Sequence, residues 1–375
     1  MQVYIELLNM KIFLILRSMF YIIFSKKIDH VFYSESKFYQ KYFITLITGL
    51  SDNSEKIIYL SSEINDVIND KNVRNFYIGN GILLYFTFLI INAKNLIITV
   101  PDLGNNQIKK TKNIDNYIYL FHASNSVHKQ FTKDSFKNYD VIFCNGQNQT
   151  HELKYLENHY KIKKKLMINS GYLYFDYLKN VSNISFKSES ILIAPSWNYN
   201  KDNFFTKTCS KLIKQLLIDN FKVILRPHPE HYKRYKKTID LIKKENKNNN
   251  NFTIDYQPEN IDSMNKAKVL ITDCSGIAPE YLFTYKRPVI YFDDYKKIHN
   301  NDFDYLDLDV FEDVIKDSFG YRLKEVNIKN IKYEISKAIE LFDKKKENVN
   351  IFAKDKFYNF QSSLKTHLDF FLRQK

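Results

Sequence analysis

From residue 30 to residue 294 the chain alternates short, almost unbroken apolar runs with longer amphipathic stretches. In the first half the runs are HVFYSE, KIIYLSS, NLIITV, YIYLFHA, DVIFCNG and LMINSG. In the second half they are SILIAPS, FKVILRPHP, FTIDY, KVLITDCS and PVIYFDD. A strand covered on both faces has no polar side to show, so it reads as a continuous apolar run, and parallel neighbours need a crossover between them. Stretches such as 202–219, 230–245 and 276–286 have the length for crossover helices. The alternation therefore predicts β-α-β units throughout, and doubly wound α/β folds in both halves. A length of 375 residues is ample for two such domains. The polar stretch NVSNISFKSE, residues 180–189, marks the boundary, giving domains over 1–185 and 186–375. The tail from about 331 is helical in pattern.

Charge and cysteine content bound the function classes. Lys and Arg total 56 against 42 Asp and Glu, a net charge of +14, which favours an anionic partner: nucleic acid, a membrane surface or a phosphorylated substrate. The sequence has no basic-aromatic motif of a nucleic-acid module, so nucleic acid is not the expected partner. Cys144, Cys209 and Cys274 stand far apart, with no CxxC pair and no metal-ligand spacing. They read as free thiols in a reducing compartment, with no metal expected. The apolar N-terminal stretch is interrupted by Glu6, Lys11 and Arg17 and is followed by no cleavage signal. It predicts a segment lying in a membrane interface rather than a spanning helix or signal peptide. The run ILLYFTFLIINA, residues 82–93, is too short to span and predicts a buried helix.

Ligands of open α/β sheets bind beyond the carboxyl ends of the strands. That rule selects His122 after YIYLF, Ser196 after ILIAP, Arg226 and His228 after KVIL, and Asp273 and Ser275 after KVLIT. Two prolines bracket His228 in RPHP and hold Arg226 and His228 extended. Arg226 offers a planar fork suited to phosphate, and His228 can donate to a phosphate oxygen; the alternative is a turn with a satisfied histidine. In TDCSGIAPEYL, Ser275 suits an N-cap and Pro279 and Glu280 a first turn. Gly276 would let a phosphate approach the helix terminus; the alternative is an ordinary capped helix. His122 is placed to take a proton from a substrate hydroxyl, or is a buried histidine bonded to a carbonyl. His128 falls at a helix start. Trp197, the single Trp, follows a strand end.

In order, APSW (residues 194–197), RPHP (226–229) and DCSG with EYL and KRPV (273–289) resemble the CDP-glycerol glycerophosphotransferase family of wall teichoic acid and capsule polymerases. That family shows A-P-T-W, R-x-H-P, then D-x-S-S before an acidic-Tyr-Leu helix. FHASN, residues 121–125, is similar to the family's W-H-G-T-P, with His122 at the histidine; VPDLGNN and YDVIFCNGQNQTHEL are similar to stretches in capsule-associated relatives. Two departures are that Gly276 stands for the second serine and that Trp, Gly, Thr and Pro are replaced around His122.

The resemblance implies a GT-B architecture, two facing Rossmann-like domains with a cleft between them, the last helix crossing back to the first. It implies transfer of a polyol phosphate from a CDP-linked donor to a glycan or lipid-linked acceptor, with His122 as base. Ser196, Arg226, His228, Asp273, Ser275, Gly276 and Glu280 would bind the donor. No cofactor is implied. The expected place is the cytoplasmic side of a bacterial membrane, peripherally held on its anionic surface. The competing readings are a nucleotide-sugar transferase of the same fold and a non-catalytic membrane-binding protein.

Overall fold

The computed structural model describes residues 2–105 and 108–373; Asn106, the last residue of VPDLGNN, lies outside them. The chain divides into two compact units. The first runs to His122, resumes over Phe131–Tyr177 and includes the chain from Phe357 onward. The second comprises Ala123–Gln130 and Leu178–Lys356, so the polar stretch 180–189 belongs to it.

The first unit is built on a seven-stranded sheet. Its strands are β1 (Ile28–Ser34), β2 (Ile57–Ser61), β3 (Val73–Tyr77), β4 (Ala93–Ile98), β5 (Ile114–Leu120), β6 (Val141–Cys144) and β7 (Leu166–Asn169). Every pairing is parallel, in the order β3-β2-β1-β4-β5-β6-β7, so the order reverses between β1 and β4. Phe32, Ile97, Ile118 and Phe143 from the sheet pack with Phe43, Leu46 and Leu50 on one face. The last helix, Leu364–Leu372, adds Phe371 to this core. Its first turn is tied down by Asp176, which accepts from Ser363 Oγ (3.0 Å) and Leu364 N (2.9 Å). Gly171 makes room for the returning chain: its φ is +96°, and a Cβ there would lie 2.1 Å from the Tyr358 carbonyl.

The second unit has a six-stranded parallel sheet: β8 (Ser190–Ile193), β9 (Lys222–Leu225), β10 (Phe252–Ile254), β11 (Ala267–Thr272), β12 (Val289–Phe292) and β13 (Tyr321–Leu323). The order is β10-β9-β8-β11-β12-β13, reversing between β8 and β11. Ile191, Ile193, Val269, Ile271 and Ile290 pack on the helix Cys209–Ile218 through Leu212, Ile213 and Leu216.

Every apolar run read as a strand holds one. β3 and β13 went unpredicted because each is an edge strand, carries Arg and Asn or Arg, and is covered only in part. The run 82–93 forms the helix Ile82–Ile90, which is only half buried: Leu84 and Phe88 face the core while Ile82 and Phe86 are exposed. The cysteines are free and buried; burial pushes the Cys144 thiol up to about 12.

Candidate functional site

The reversal of strand order in the second unit places the ends of β8 and β11 side by side, where open α/β sheets hold ligands. Ser196 follows β8 and Asp273 follows β11. The Ser196 N–H donates to Asp273 Oδ1 and its hydroxyl to Oδ2, both at 2.7 Å, and both residues are buried. Thr272 Oγ1 donates to the Ala194 carbonyl at 2.6 Å beside them. Asp273 therefore latches the two loops that border the crevice.

Behind Asp273 the chain enters the helix Ile277–Tyr285. Gly276 rather than Ser275 is its N-cap, and no side chain caps it. The first-turn bond there runs from Ala278 N to the Ser275 carbonyl at 3.1 Å. The backbone N–H groups of Ser275, Gly276 and Ile277 have no partner among the described residues, so the positive end of the helix is open. A Cβ on Gly276 would meet Ala123 Cβ at 3.1 Å, so the loop Ala123–Gln130 closes over this terminus. Glu280 is buried within the helix and accepts from Asn260 Nδ2 at 3.2 Å.

The RPHP loop follows β9, which is not β11's neighbour: β8 stands between them. Strand spacing puts the two loops roughly 10 Å apart, with the Ser196–Asp273 latch between. His228 caps the helix Pro229–Arg234: its Nδ1 accepts from Glu230 N at 3.1 Å. An accepting Nδ1 places the ring proton of the neutral form on Nε2, which is then a donor. Arg226 is committed inward. Its guanidinium donates to Asp255 Oδ2 (2.5 Å) and to the carbonyls of Gln257 (2.9 Å) and Pro258 (3.1 Å). Those bonds brace the loop after β10. In this loop Arg226 is spent on the segment after β10, while His228 caps the helix that follows.

Sequence reasoning singled out Trp197 but missed the aromatic partners that gather round it. The Trp197 ring lies 5.4 Å from His299 and 6.4 Å from His228, Tyr199 packs on Trp197 at 4.6 Å, and the Arg234 guanidinium covers Trp197 at 5.2 Å. Burial and then Lys297 drive the His299 imidazole down to about 4, so it is neutral near pH 7. Flat faces beside an open helix terminus suit a nucleobase attached to phosphates. His299 follows an unremarkable KKI in a Lys-rich chain, so only the fold brings it here.

His122 ends the strand run of β5 in the first unit. Tyr39 meets its ring edge-on at 5.6 Å, Tyr42 lies at 5.9 Å, and Tyr172 donates to its carbonyl at 3.0 Å. Tyr39 and Tyr42 from one segment flank the imidazole, and Tyr172 from another holds its backbone; none had a motif to announce it. His128 is instead buried in the second unit, stacked on Phe303 at 5.3 Å. The first unit's own reversal, between β1 and β4, opens a cavity of about 750 Å³. Tyr33, Glu35, Asn80, Tyr85, Asp102 and Asn105 supply its polar lining. Among the described residues, no group of three or more His, Cys, Asp or Glu side chains could hold a metal ion.

Two doubly wound parallel-sheet domains define a two-domain α/β protein of the GT-B type. Residues 86–363 match the family of CDP-Glycerol:Poly(glycerophosphate) glycerophosphotransferases, and the chain belongs to that family. Among solved structures it is similar to the wall teichoic acid polymerase TagF, with TM-score 0.63 and 15% identity over 93% of this chain and 89% of that one. It is also similar to a putative UDP-N-acetylglucosamine 2-epimerase from Listeria monocytogenes, with TM-score 0.58 and 11% identity over 92% and 97% of the two chains. A UDP-GlcNAc 2-epimerase from Methanocaldococcus jannaschii, solved with UDP-GlcNAc and UDP, gives TM-score 0.57 and 14% identity over 93% and 100%. At such identities these likenesses concern the fold. A comparison with curated proteins gives no match.

Proposed function

We propose that the protein transfers a polyol phosphate, glycerol phosphate by its family, from a CDP-linked donor to a hydroxyl of a glycan or lipid-linked acceptor of the cell envelope, releasing CMP. The observation that carries this reading is the open terminus of the helix Ile277–Tyr285 beside the Ser196–Asp273 latch. Such a terminus receives a diphosphate, and His228 Nε2 adds a donor on the same sheet edge. The cytosine stacks among Trp197, Tyr199 and His299. The acceptor occupies the polar cavity of the first unit, and His122 removes the proton from its hydroxyl.

The acceptor oxygen then bonds to the phosphorus that carries the polyol. The bond from that phosphorus to the bridging oxygen breaks, and CMP leaves with the electron pair. Phosphoryl transfer of this kind depends on positioning and on stabilising charge, which fixed N–H groups supply without reorganisation.

In this reading the enzyme works at an anionic membrane surface. On the N-terminal helix, Gln2–Phe24, Phe13 (66%), Phe20 (67%) and Phe24 (73%) lie largely exposed with Leu16 and Ile23. Arg17, Lys26, Lys56, Lys71 and Arg74 line a groove of about 990 Å³ beside it. Among the described residues no helix is long and apolar enough to cross a membrane; in this reading the exposed face of the N-terminal helix rests on the surface.

The test is incubation with CDP-glycerol and, in parallel, UDP-sugars, each with acceptor. Release of CMP with glycerol phosphate gained by the acceptor supports the proposal. Release of UDP with sugar transfer replaces it by a nucleotide-sugar transferase. Vesicle binding with no nucleotide bound leaves a non-catalytic membrane protein.

A further inference from the structure

Lys297 is the most unusual cation of the second unit. It is 91% buried, and its ammonium has no hydrogen-bond or ion-pair partner among the described residues. Burial pulls it below the usual lysine range, opposed by Asp273, Cys274 and Glu312, while Lys129 acts on it as a like charge. Lys129 is itself 94% buried and equally unpartnered. The segments that carry the two lysines are bonded to each other: the Gln130 side chain donates through Nε2 to the Lys297 carbonyl (3.5 Å), and His299 N donates to the Lys129 carbonyl (3.0 Å). A third buried lysine, Lys316, reaches Cys274 Sγ at 3.9 Å, but it is balanced by Asp313 (3.4 Å) and Asp293 (3.7 Å).

Asp273 and Glu312 oppose the charge on Lys297 without a bonded contact to it. Asp273 takes both donors of Ser196, and Glu312 accepts from Ser126 N at 3.0 Å. Two like charges buried together without bonded counter-charges are costly in a folded domain. They persist where a ligand supplies the missing anion, as strained and unpaired groups do at functional sites. Lys297 lies within electrostatic reach of Asp273 and Cys274, and Lys129 of Cys274, the residues that lead into the open helix terminus at Ser275–Ile277. The terminus and the buried cations thus point to one place by independent routes.

We propose that Lys297 and Lys129 bind the diphosphate of the donor, forming with the terminus of the helix Ile277–Tyr285 a cradle in which two ammonium groups neutralise the charge that grows on the departing phosphate. This rests on the donor reading above, and it names residues that no motif contains. The lysines touch the ligand only through its phosphates, so the cradle serves any diphosphate donor. The thiol of Cys274, raised by burial, stays neutral and forms no bond with the ligand.

Inorganic pyrophosphate is the direct probe, because it carries neither cytidine nor polyol. Its affinity is measured by calorimetry for wild type, Lys297→Met, Lys297→Arg and Lys129→Met. Loss of a charge-assisted bond predicts affinity about tenfold or more weaker in each Met variant, with partial recovery in Lys297→Arg. Thermal unfolding supplies the second readout. A lysine kept only for the fold would destabilise when replaced, whereas removing a buried ammonium that no carboxylate bonds leaves the ligand-free midpoint unchanged or higher. Wild type that binds no pyrophosphate, or a folded Lys297→Met that binds it as well as wild type, overturns the cradle. If the cradle binds pyrophosphate but no polyol phosphate is transferred, the reaction falls and the cradle stands. If transfer from CDP-glycerol proceeds while pyrophosphate affinity ignores both substitutions, the cradle falls and the reaction stands.

Discussion

Ser196 and Asp273, 77 residues apart in the chain, share one carboxylate: both donors of the serine end on the two oxygens of the aspartate at 2.7 Å. The pair sits where the strand order of the second sheet reverses. It therefore fixes the separation of the loops that a ligand would enter between. Asp273→Ala leaves a buried N–H and a buried hydroxyl without acceptors, at about 1–3 kcal/mol each. Asp273→Asn keeps one acceptor, and the serine hydroxyl can turn. Urea unfolding should show a loss of about 3 kcal/mol for Ala and about half that for Asn. A loss below about 1 kcal/mol for Ala would remove the latch from the account.

Arg226 was expected to meet phosphate, and the structure spends its guanidinium on Asp255 and two carbonyls. Both members of that pair are about nine-tenths buried. Removing one partner strands the other charge, which costs about 3–5 kcal/mol. Arg226→Ala should therefore unfold well below wild type, and Arg226→Lys should rescue little, since an ammonium cannot reproduce the fork. Melting curves with and without nucleotide decide the matter. An unshifted melting curve with weakened nucleotide binding would return Arg226 to the ligand.

The parallel sheets were legible because strands covered on both faces must be apolar throughout, as VIFC of β6 and VIYF of β12 are. The half-covered edges β3 and β13 lacked that signal. The strand-end rule found Ser196 and Asp273 but could not pair them, since pairing depends on which strands lie adjacent. RPHP was visible as a stiff loop, yet the partner that turns Arg226 inward stands 29 residues on, in an ordinary DYQP. Ser275 has the side chain of an N-cap, but the helix starts one residue later. Lys129 and Lys297 were hidden among many surface lysines, because burial is a property of the fold and not of the letter K.

Two buried histidines set the acid limit of the fold. Burial lowers His231 to about 3 and His367 to about 4. Each stays neutral in the folded state while the unfolded chain protonates near 6.5. Their contribution is complete above pH 6.5 and is withdrawn as pH falls toward the folded values, by about 1.4 kcal/mol per pH unit for each histidine. The unfolding midpoint should fall between pH 7 and pH 5. In His367→Asn, whose amide can replace the Nδ1–H bond to the Ser363 carbonyl (2.9 Å), the decline should be shallower. A midpoint independent of pH in that range contradicts the assignment.

Membrane attachment should depend on charge as well as on the apolar stripe. Lys26, Lys56 and Lys71 line the groove beside the N-terminal helix. Near an anionic surface each lysine contributes about 1 kcal/mol. Replacing all three with Gln should weaken sedimentation with anionic vesicles about a hundredfold, and raising salt should weaken the wild type likewise. Equal binding to anionic and zwitterionic vesicles would leave the cations no part in it.

His122 offers the cleanest separation of chemistry from binding. Its ring is set by Tyr39 and Tyr42 in the first unit, whereas the groups assigned to the donor all belong to the second. His122→Ala should therefore leave calorimetric affinity for the CDP-linked donor within about twofold of wild type. Transfer should drop by ~10²–10⁴, the usual contribution of a positioned base. His122→Gln keeps a polar side chain of similar reach but cannot take a proton at neutral pH, so it should be nearly as slow as the alanine variant. Tyr39→Phe keeps the ring that packs against His122 and should retain most of the rate. If His122→Gln matched wild type in turnover, the imidazole would be only a spacer between tyrosines, and the proton would have to leave by another group.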